Sequence, residues 1–273
     1  MEMTQQEFKY FQQFLVRTCG IVLSDNKQYL VKNRLSGLLS VFGLRSFSDL
    51  LTALQSESHA SSRLKVAVIE AMTTNETSWF RDESHFSELS GTVFPMLAAK
   101  RSRIRVWSAA CSSGQEPYSI SMCVEDAIKN QGKSLPVTII GTDISETVLQ
   151  QARRAVYSEA ALSRGIDAMQ QRRFFVPVED GFRVKPEISS RVKFQQFNLL
   201  KSFSVLGRFD VILCRNVLIY FSDELKKDIL TRMSQAIEPG GFLFLSSSEV
   251  MPVGVPGFET VRGERSRYYR KVD

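Results

Sequence analysis

A chain of 273 residues, 43% hydrophobic with nineteen Phe, has apolar mass for one large domain or for a small domain beside a medium one. No run approaches the roughly 18 apolar residues of a membrane span. The polar start Met1-Glu-Met-Thr-Gln-Gln-Glu7 has no signal-peptide pattern, so a soluble, cytoplasmic protein without membrane insertion is expected.

The formal charge of +6 is uneven. Lys100-Arg101-Ser-Arg103-Ile-Arg105 holds four positives without an acid, and the stretch from Arg262 to Lys271 is similarly rich. Such a balance suits an acidic partner, nucleic acid or a carboxylate-rich protein, although most basic runs are simply solvated faces. Cys19, Cys111, Cys123 and Cys214 lack C-x-x-C spacing and read as reduced thiols. A catalytic thiol needs a base, and His59 and His85 are the two histidines present, so small semi-buried cysteines are the expectation.

Thr4-x-x-Glu7 is a capping box ahead of Phe8, Phe11, Phe14 and Leu15, which share one face of a helix ending near Gly20. A second helix is predicted over 26–40 on the stripe Leu30, Val31, Leu35, Leu38 and Leu39. Lys27 and Arg34 flank that stripe, where long cations either snorkel from a core edge or face a partner. A third helix is predicted over 47–55, on Phe47, Leu50, Leu51 and Leu54, and a fourth over 62–72. Four helices without an intervening strand predict a small bundle with nothing catalytic in it. The polar segment 73–82 carries Trp79-Phe80 and lacks the Pro, Gly or Ser bias of a tether, so it is expected to fold back onto the protein. A helix over 82–97 follows, presenting Phe86, Leu89, Val93 and Leu97.

From residue 103 strand and helix alternate. A buried strand over 104–107 leads into a turn of small residues over 108–114, then a helix opening at Glu116-Pro117, with Pro at the first helical position. Small residues let a ligand approach the backbone, and such a corner cradles ligands in open α/β sheets. A second strand over 136–142 ends at Asp143, and Ser145 caps a helix running through Gln150 and Arg153. An acid there is where nucleoside-binding folds hold ribose hydroxyls; an ordinary helix-start Asp is the competing reading. Asp180-Gly181 signals a hairpin, and 191–197 is a third alternating run, so 174–197 is predicted to be a small antiparallel insert. The sheet resumes over 209–214, followed by Arg215-Asn216. Ser222 caps a helix lined by Leu225, Ile229, Met233 and Ile237; Pro239-Gly-Gly241 turns into a strand over 242–246, and 257–269 closes as an antiparallel edge pair.

Ser112-Ser-Gly114 is neither G-x-G-x-x-G nor a phosphate-gripping P-loop. A nucleoside ligand without phosphates fits better. S-adenosyl-L-methionine (SAM) is such a ligand, and Glu116 at the helix head is placed for its cationic amino group.

With these residues together, the chain resembles the CheR family of chemotaxis receptor methyltransferases. The pieces that carry the resemblance are Met72-Thr-Thr-Asn-Glu-Thr-Ser-Trp-Phe-Arg81, Val106-Trp-Ser-Ala-Ala-Cys-Ser-Ser-Gly-Gln-Glu-Pro-Tyr-Ser119, Gly141-Thr-Asp-Ile144, Phe197-Asn-Leu-Leu200, Cys214-Arg-Asn-Val-Leu-Ile-Tyr-Phe221 and Glu238-Pro-Gly-Gly-Phe242. They follow the family's order over nearly the whole chain. The resemblance implies an α/β, Rossmann-like SAM-dependent methyltransferase domain over 91–273 and an N-terminal all-helical, receptor-docking domain over 1–72. It further implies an interdomain segment over 73–90 that contacts the cofactor and a small antiparallel β-subdomain inserted over 174–197.

The implied reaction is methyl transfer from SAM to glutamate side chains on chemoreceptor cytoplasmic signalling domains, giving methyl esters and S-adenosyl-L-homocysteine (SAH), with no nucleic-acid partner and no metal. By motif, Asn75, Thr77 and Arg81 reach the cofactor from the interdomain segment, and Glu116 and Asp143 hold its amino and ribose ends in either assignment. Asn198, Leu199, Arg215 and Asn216 line its adenine and methionine side. Tyr220 matches a tyrosine near the transferred methyl, against the plainer reading of a strand-end Tyr packing on the core. Arg81 read plainly is an interdomain ion-pair residue. A family arginine beside the site is expected in the basic run, with no unique choice among Lys100, Arg101 and Arg103.

The implied chemistry needs no base, because a glutamate of pKa about 4.3 is already ionised at neutral pH. The protein's task is to align the reacting atoms and exclude water. Members that tether to a receptor's C-terminal pentapeptide carry a longer glycine-rich loop where this chain closes tightly through Val178-Glu-Asp-Gly181. A tether-independent enzyme is therefore expected, docking through Lys27, Lys32 and Arg34 in a salt-sensitive contact. A nucleic-acid methyltransferase is the runner-up, disfavoured because the strand end reads Cys-Arg-Asn-Val and not Asn-Pro-Pro-Tyr. A non-catalytic SAM-fold binding protein is opposed by Glu116, Asp143, Asn216 and Tyr220, and a dehydrogenase by the missing glycines.

Overall fold

The computed structural model describes residues 3–131, 135–264 and 266–272, with the side chains of 128–131 left aside; Arg265 of the second basic run lies outside the described residues. One compact unit comprises Met1–Thr74 and Tyr220–Leu225, the other Asn75–Ile219 and Lys226–Asp273.

The first unit holds four helices, α1 (Gln5–Cys19), α2 (Gln28–Val41), α3 (Phe47–Gln55) and α4 (His59–Met72). Thr4 and Glu7 cap α1 reciprocally: Glu7 N–H donates to Thr4 Oγ1 at 3.2 Å and Thr4 N–H to Glu7 Oε2 at 2.7 Å. Gly20 ends the helix at φ 79°, a left-handed turn that sends its N–H back to the Leu15 and Val16 carbonyls. Phe8, Phe11, Leu15, Val31, Leu35 and Leu50 are fully buried, each contributing about 1.5–3 kcal/mol of apolar burial.

α2 starts two residues later than expected, after a 3₁₀ turn (Asp25–Lys27), and Leu30 and Leu38 lie only half-buried at the edges of its stripe. α4 starts three residues earlier, because Ser58 Oγ accepts Ser61 N–H at 3.1 Å and fixes the N-cap there. Arg34 neither snorkels nor faces outward. Its Nη1 donates to the Met72 and Thr73 carbonyls (2.8 and 3.1 Å) and its Nη2 to Thr74 Oγ1 (3.1 Å), closing the carbonyl end of α4. That removes Arg34 from the expected docking set.

The second unit begins with α5 (Glu83–Glu88), a π-helical turn (Leu89–Val93) and α6 (Phe94–Ala98) in place of the single predicted helix. The extra residue of the π turn lets adjacent Val93 and Phe94 both be buried, together with Phe86, Leu89 and Leu97. Then come β1 (Ile104–Ala109), α7 (Gln115–Gln131), β2 (Val137–Asp143), α8 (Glu146–Arg154), β3 (Val156–Tyr157), α9 (Glu159–Leu162) and α10 (Ala168–Phe174). The hairpin β4 (Phe175–Val178) and β5 (Gly181–Val184) leads to α11 (Pro186–Ser189), β6 (Val192–Gln196) and β7 (Phe209–Cys214). The remainder is α12 (Asp223–Ala236, its first turn counted with the helical unit), β8 (Ile237–Phe244), β9 (Phe258–Arg262) and β10 (Arg267–Lys271).

Seven strands form one sheet in the order β6-β2-β1-β7-β8-β10-β9, the first five parallel and β10 and β9 antiparallel. Every residue of β7 is buried, which is why its sequence reads as a continuous apolar run. β1 extends two residues beyond the expected strand, since Ser108 and Ala109 still pair with Gly141 and Thr142 on one side and Leu213 and Cys214 on the other. Pro117 is accordingly the third helical residue of α7, where a missing N–H still costs no helical bond.

The run 192–196 belongs to this large sheet, parallel to β2, and not to the antiparallel insert. Its alternation arises because β6 is an edge strand with exposed positions. The small sheet is instead β3-β5-β4, drawn from 156–184. Ile237 opens β8 and does not continue α12, and Pro239-Gly-Gly241 is an irregularity inside that strand, between the Phe209–Ile237 and Val211–Phe242 pairs. Gly241 is needed there, as a Cβ would stand 2.6 Å from the Asp210 carbonyl oxygen.

All four cysteines are buried free thiols. Burial pushes Cys19 up to about 11, and Cys111, Cys123 and Cys214 further. Among the described residues no helix is long and apolar enough to cross a membrane.

Candidate functional site

The bend after β1 spans five residues and places Ala110, Ser112 and Gly114 at φ 59°, 51° and 94°. Left-handed backbone costs an L-residue about 1 kcal/mol or more, so something must hold it. Cys111 N–H donates to the Thr142 carbonyl at 2.8 Å, Ser112 N–H to Asp143 Oδ2 at 2.9 Å, and Ser112 Oγ to the Asn75 carbonyl at 2.7 Å. Residues 110–114 include no Lys or Arg and carry neither the G-x-G-x-x-G nor the P-loop pattern of phosphate-binding turns. The bend's neighbours are two acids, the acceptors expected for ribose hydroxyls and an ammonium group, and SAM fits that chemistry.

Asp143 ends β2 with both oxygens on main-chain donors, Ser112 at Oδ2 and Ser145 at Oδ1 (3.0 Å). Burial pushes its pKa up while these hydrogen bonds oppose the shift. Ile144 supplies a third main-chain hydrogen bond to the same carboxyl. Phe197 N–H bonds the Asp143 carbonyl at 2.8 Å, which brings the 197–200 turn alongside. There Asn198 Oδ1 accepts Leu200 N–H at 3.0 Å, and buried Leu199 accepts from Arg232 through its carbonyl at 2.9 Å.

Glu116, in the first turn of α7, accepts from Ser108 Oγ at 2.6 Å through Oε1 and from Arg215 Nη1 at 2.8 Å through Oε2. Arg215 follows β7, its side chain 1% exposed. Its Nη2 reaches Asp82 Oδ2 at 2.8 Å and the Arg81 carbonyl, and the guanidinium lies 5.5 Å from the Phe86 ring centroid. Its two Nη atoms are thus taken by two carboxylates and a carbonyl, which fixes those groups in place, while its Nε is buried without a hydrogen-bond partner. These bonds join the ends of β1 and β7, the point where strand order reverses and open α/β sheets bind ligands.

Asp82, absent from the sequence reading, completes the cluster. It takes Ser247 N–H and Oγ–H at 3.2 Å each. Burial raises its pKa, but the Arg215 and Ser247 hydrogen bonds outweigh that and hold the carboxyl below its usual value. Its signal was its position, directly after the Trp79-Phe80-Arg81 motif.

Trp79 is buried against Tyr157 and Phe175 (centroids 4.9 and 5.2 Å), so the polar segment does fold back. Asn75 and Thr77 are half-buried on it, while the Arg81 guanidinium is exposed and donates to the Glu76 carbonyl at 3.3 Å. Asn216 is left-handed (φ 58°) and half-buried, its N–H bonded to Glu249 Oε2 at 2.9 Å. Glu249 carries no motif that sequence reasoning could have used. Tyr220 ends a 3₁₀ turn (Leu218–Tyr220) and groups with the helical unit, where its carbonyl accepts Val22 N–H at 2.8 Å.

Lys100, Arg101 and Arg103 lead into the N-terminal end of β1, the end of that strand opposite the bend, so the expected site arginine is not among them. Arg101 there pairs with Asp210 (3.2 Å) and donates to the Pro239 carbonyl (2.8 Å). Among the described residues no group of His, Cys, Asp and Glu is arranged to hold a metal ion.

Residues 6–73 match the family model described as CheR methyltransferase, all-alpha domain, and residues 75–266 that of the CheR methyltransferase, SAM binding domain. The chain is 44% identical over 261 residues to the chemotaxis protein methyltransferase of Vibrio parahaemolyticus, covering 95% of this chain and 94% of that one. It is 45% identical over 250 residues to Chemotaxis protein methyltransferase Cher2 of Pseudomonas putida, covering 90% of each. Against the chemotaxis protein methyltransferase of Escherichia coli K12 it is 36% identical over 258 residues, covering 91% of this chain and 86% of that one.

Proposed function

The chain belongs to the CheR methyltransferase family, SAM-dependent enzymes of chemotaxis, and we propose that it methylates glutamate side chains on the cytoplasmic helices of chemoreceptors, giving methyl esters and SAH. The observation that carries the proposal is the clamped Glu116 beside a cation-free bend and a strand-end Asp143. Asp143 takes the ribose hydroxyls, as an acid at the end of the second strand does in this fold class, and Glu116 takes the amino group. Asn75, Thr77, Arg81, Asn198, Leu199, Arg215 and Asn216 complete the cofactor contacts, and Arg215 also holds Glu116 in place.

SAM supplies an electrophilic methyl on a sulfonium leaving group. The chain's residues align the acceptor and exclude water; no side chain has to take a proton, since the glutamate is ionised at neutral pH. Tyr220 orients the incoming carboxylate through its hydroxyl.

Docking falls to the helical unit, with Lys27 and Lys32 retained from the expected set, and without a pentapeptide tether. Two features support tether independence. The hairpin closes directly at the Val178–Gly181 pair. Val184 sends its N–H to Ala155, away from β4, so Phe175 and Pro177 turn their main chain to the free edge of β4, where the Phe175 N–H is already bonded to the Gln171 carbonyl and Pro177 has no N–H.

The test is labelled methyl transfer from SAM to receptor cytoplasmic fragments with and without their last five residues. Base-labile label at similar rates on both is expected. Absence of base-labile label rejects the glutamate reading, label on RNA favours the nucleic-acid alternative, and a rate that collapses without the last five residues rejects tether independence.

A further inference from the structure

Glu249 lies five residues beyond the end of β8 and is buried, 7% exposed. One oxygen, Oε2, accepts two main-chain N–H groups: Asn216 at 2.9 Å, just past β7, and Ser246 at 3.1 Å, just past β8. The carboxylate therefore bridges the C-terminal ends of adjacent parallel strands. Burial raises the pKa of the Cys214 thiol, and the charges of Glu249 and Glu116 add to it, so both acids flank the last residue of β7. The other oxygen, Oε1, is buried without a partner. Native structures rarely keep such a group, and neither capping two amides nor filling space requires the second oxygen.

Asn216 itself is left-handed at φ 58°, a conformation that persists where the surroundings over-determine it. The turn is pinned from two directions: Arg215 by Glu116 and Asp82 through its side chain, and Asn216 by Glu249 through its main chain. Half-buried Asn216 thus stands at the strand end where the sheet order places a ligand.

The geometry points to Glu249 as a positioning residue for cofactor binding: its carboxylate holds the Asn216 turn so that the Asn216 side chain meets the cofactor already oriented. This rests on the reading that Asn216 contacts SAM. Glu249 touches no reacting atom in this scheme. Its contribution is geometric, through a hydrogen bond to a charged acceptor, an interaction whose loss corresponds to about tenfold or more in affinity.

Three substitutions separate geometry from charge. Glu249→Ala removes the acceptor. Glu249→Asp keeps the charge but withdraws it by one methylene. Glu249→Gln keeps an acceptor oxygen in the Oε2 place and puts its amide in the place of the unpartnered Oε1. Binding of SAH is read by calorimetry on the full chain, alongside thermal unfolding and the KM for SAM.

Wild-type binding, with Ala and Asp each weakened about tenfold or more and Gln rescuing to within about threefold, is the expected pattern. In an Asn216→Ala background the Glu249→Ala penalty shrinks, because the two residues act as one unit. If Glu249→Ala fails to fold, the contrast between Asp and Gln carries the decision. Ala or Asp binding SAH like wild type, Gln as weak as Ala, or full additivity with Asn216→Ala overturns the proposal. Failure of the wild type itself to bind SAH overturns instead the site reading on which it rests.

Discussion

His85 shows how the buried charge of the site acts on a residue that is not part of it. It lies in α5 against Phe244 (centroids 5.6 Å), and burial, followed by the positive charge of Arg215, lowers its pKa from 6.5 to about 4, with Asp82 opposing. The folded protein therefore keeps His85 neutral, while the unfolded chain protonates it near 6.5. Its contribution is whole above about pH 6.5 and is lost as pH falls toward 4, on the order of 3 kcal/mol at most. Urea unfolding of wild type and His85→Phe across that window measures it. The stability difference between the two should shrink as pH falls, and a flat difference rejects a depressed pKa. Asp143, whose raised pKa acts in the opposite sense, is common to both proteins and cancels. Residues of this kind were only half legible in the sequence. Glu116 and Asp143 stood out because they sit at the corners of strand–turn–helix units. The true partners of Arg215 are 99 and 133 positions away and belong to no local pattern, so its internal use emerged only from the fold.

Elements were read well where one periodicity acted alone. The capping box of α1, the stripe of α3 and the buried run of β7 follow directly from residue spacing. They were misread where two effects overlap. β6 alternates like a hairpin strand because it is an edge of a parallel sheet, and the π turn hides in a sequence that also fits an unbroken helix. α2 offers a direct check on local propensity. Gly37 lies in its middle, exposed, at an ordinary helical φ, and a Cβ there would meet nothing within 4 Å. Gly37→Ala should stabilise the helical unit by about 0.5–1 kcal/mol, by restricting the unfolded chain. Thermal melting decides it, and an unchanged or lowered midpoint means the helix does not tolerate the side chain as argued.

The net charge of +6 looks different once the fold assigns it. Arg101 is tied to Asp210 and the Pro239 carbonyl, and Arg105 to the Leu206 and Arg208 carbonyls, so part of the first basic run braces strands. Raising salt from about 50 to about 300 mM should increase the KM for a receptor fragment while leaving SAH affinity nearly constant, since solvent-exposed charges are screened far more than the largely buried carboxylates Glu116 and Asp143. A parallel loss of SAH affinity would contradict that division.

The burial of all four thiols has a practical corollary. Thiolates are the reactive species, and none of these cysteines ionises readily near neutral pH. An introduced surface cysteine would thus be the one site to take a maleimide dye, with the native sequence left as its own silent background. Mild oxidants likewise find nothing to modify at sulfur in these positions without first opening the fold.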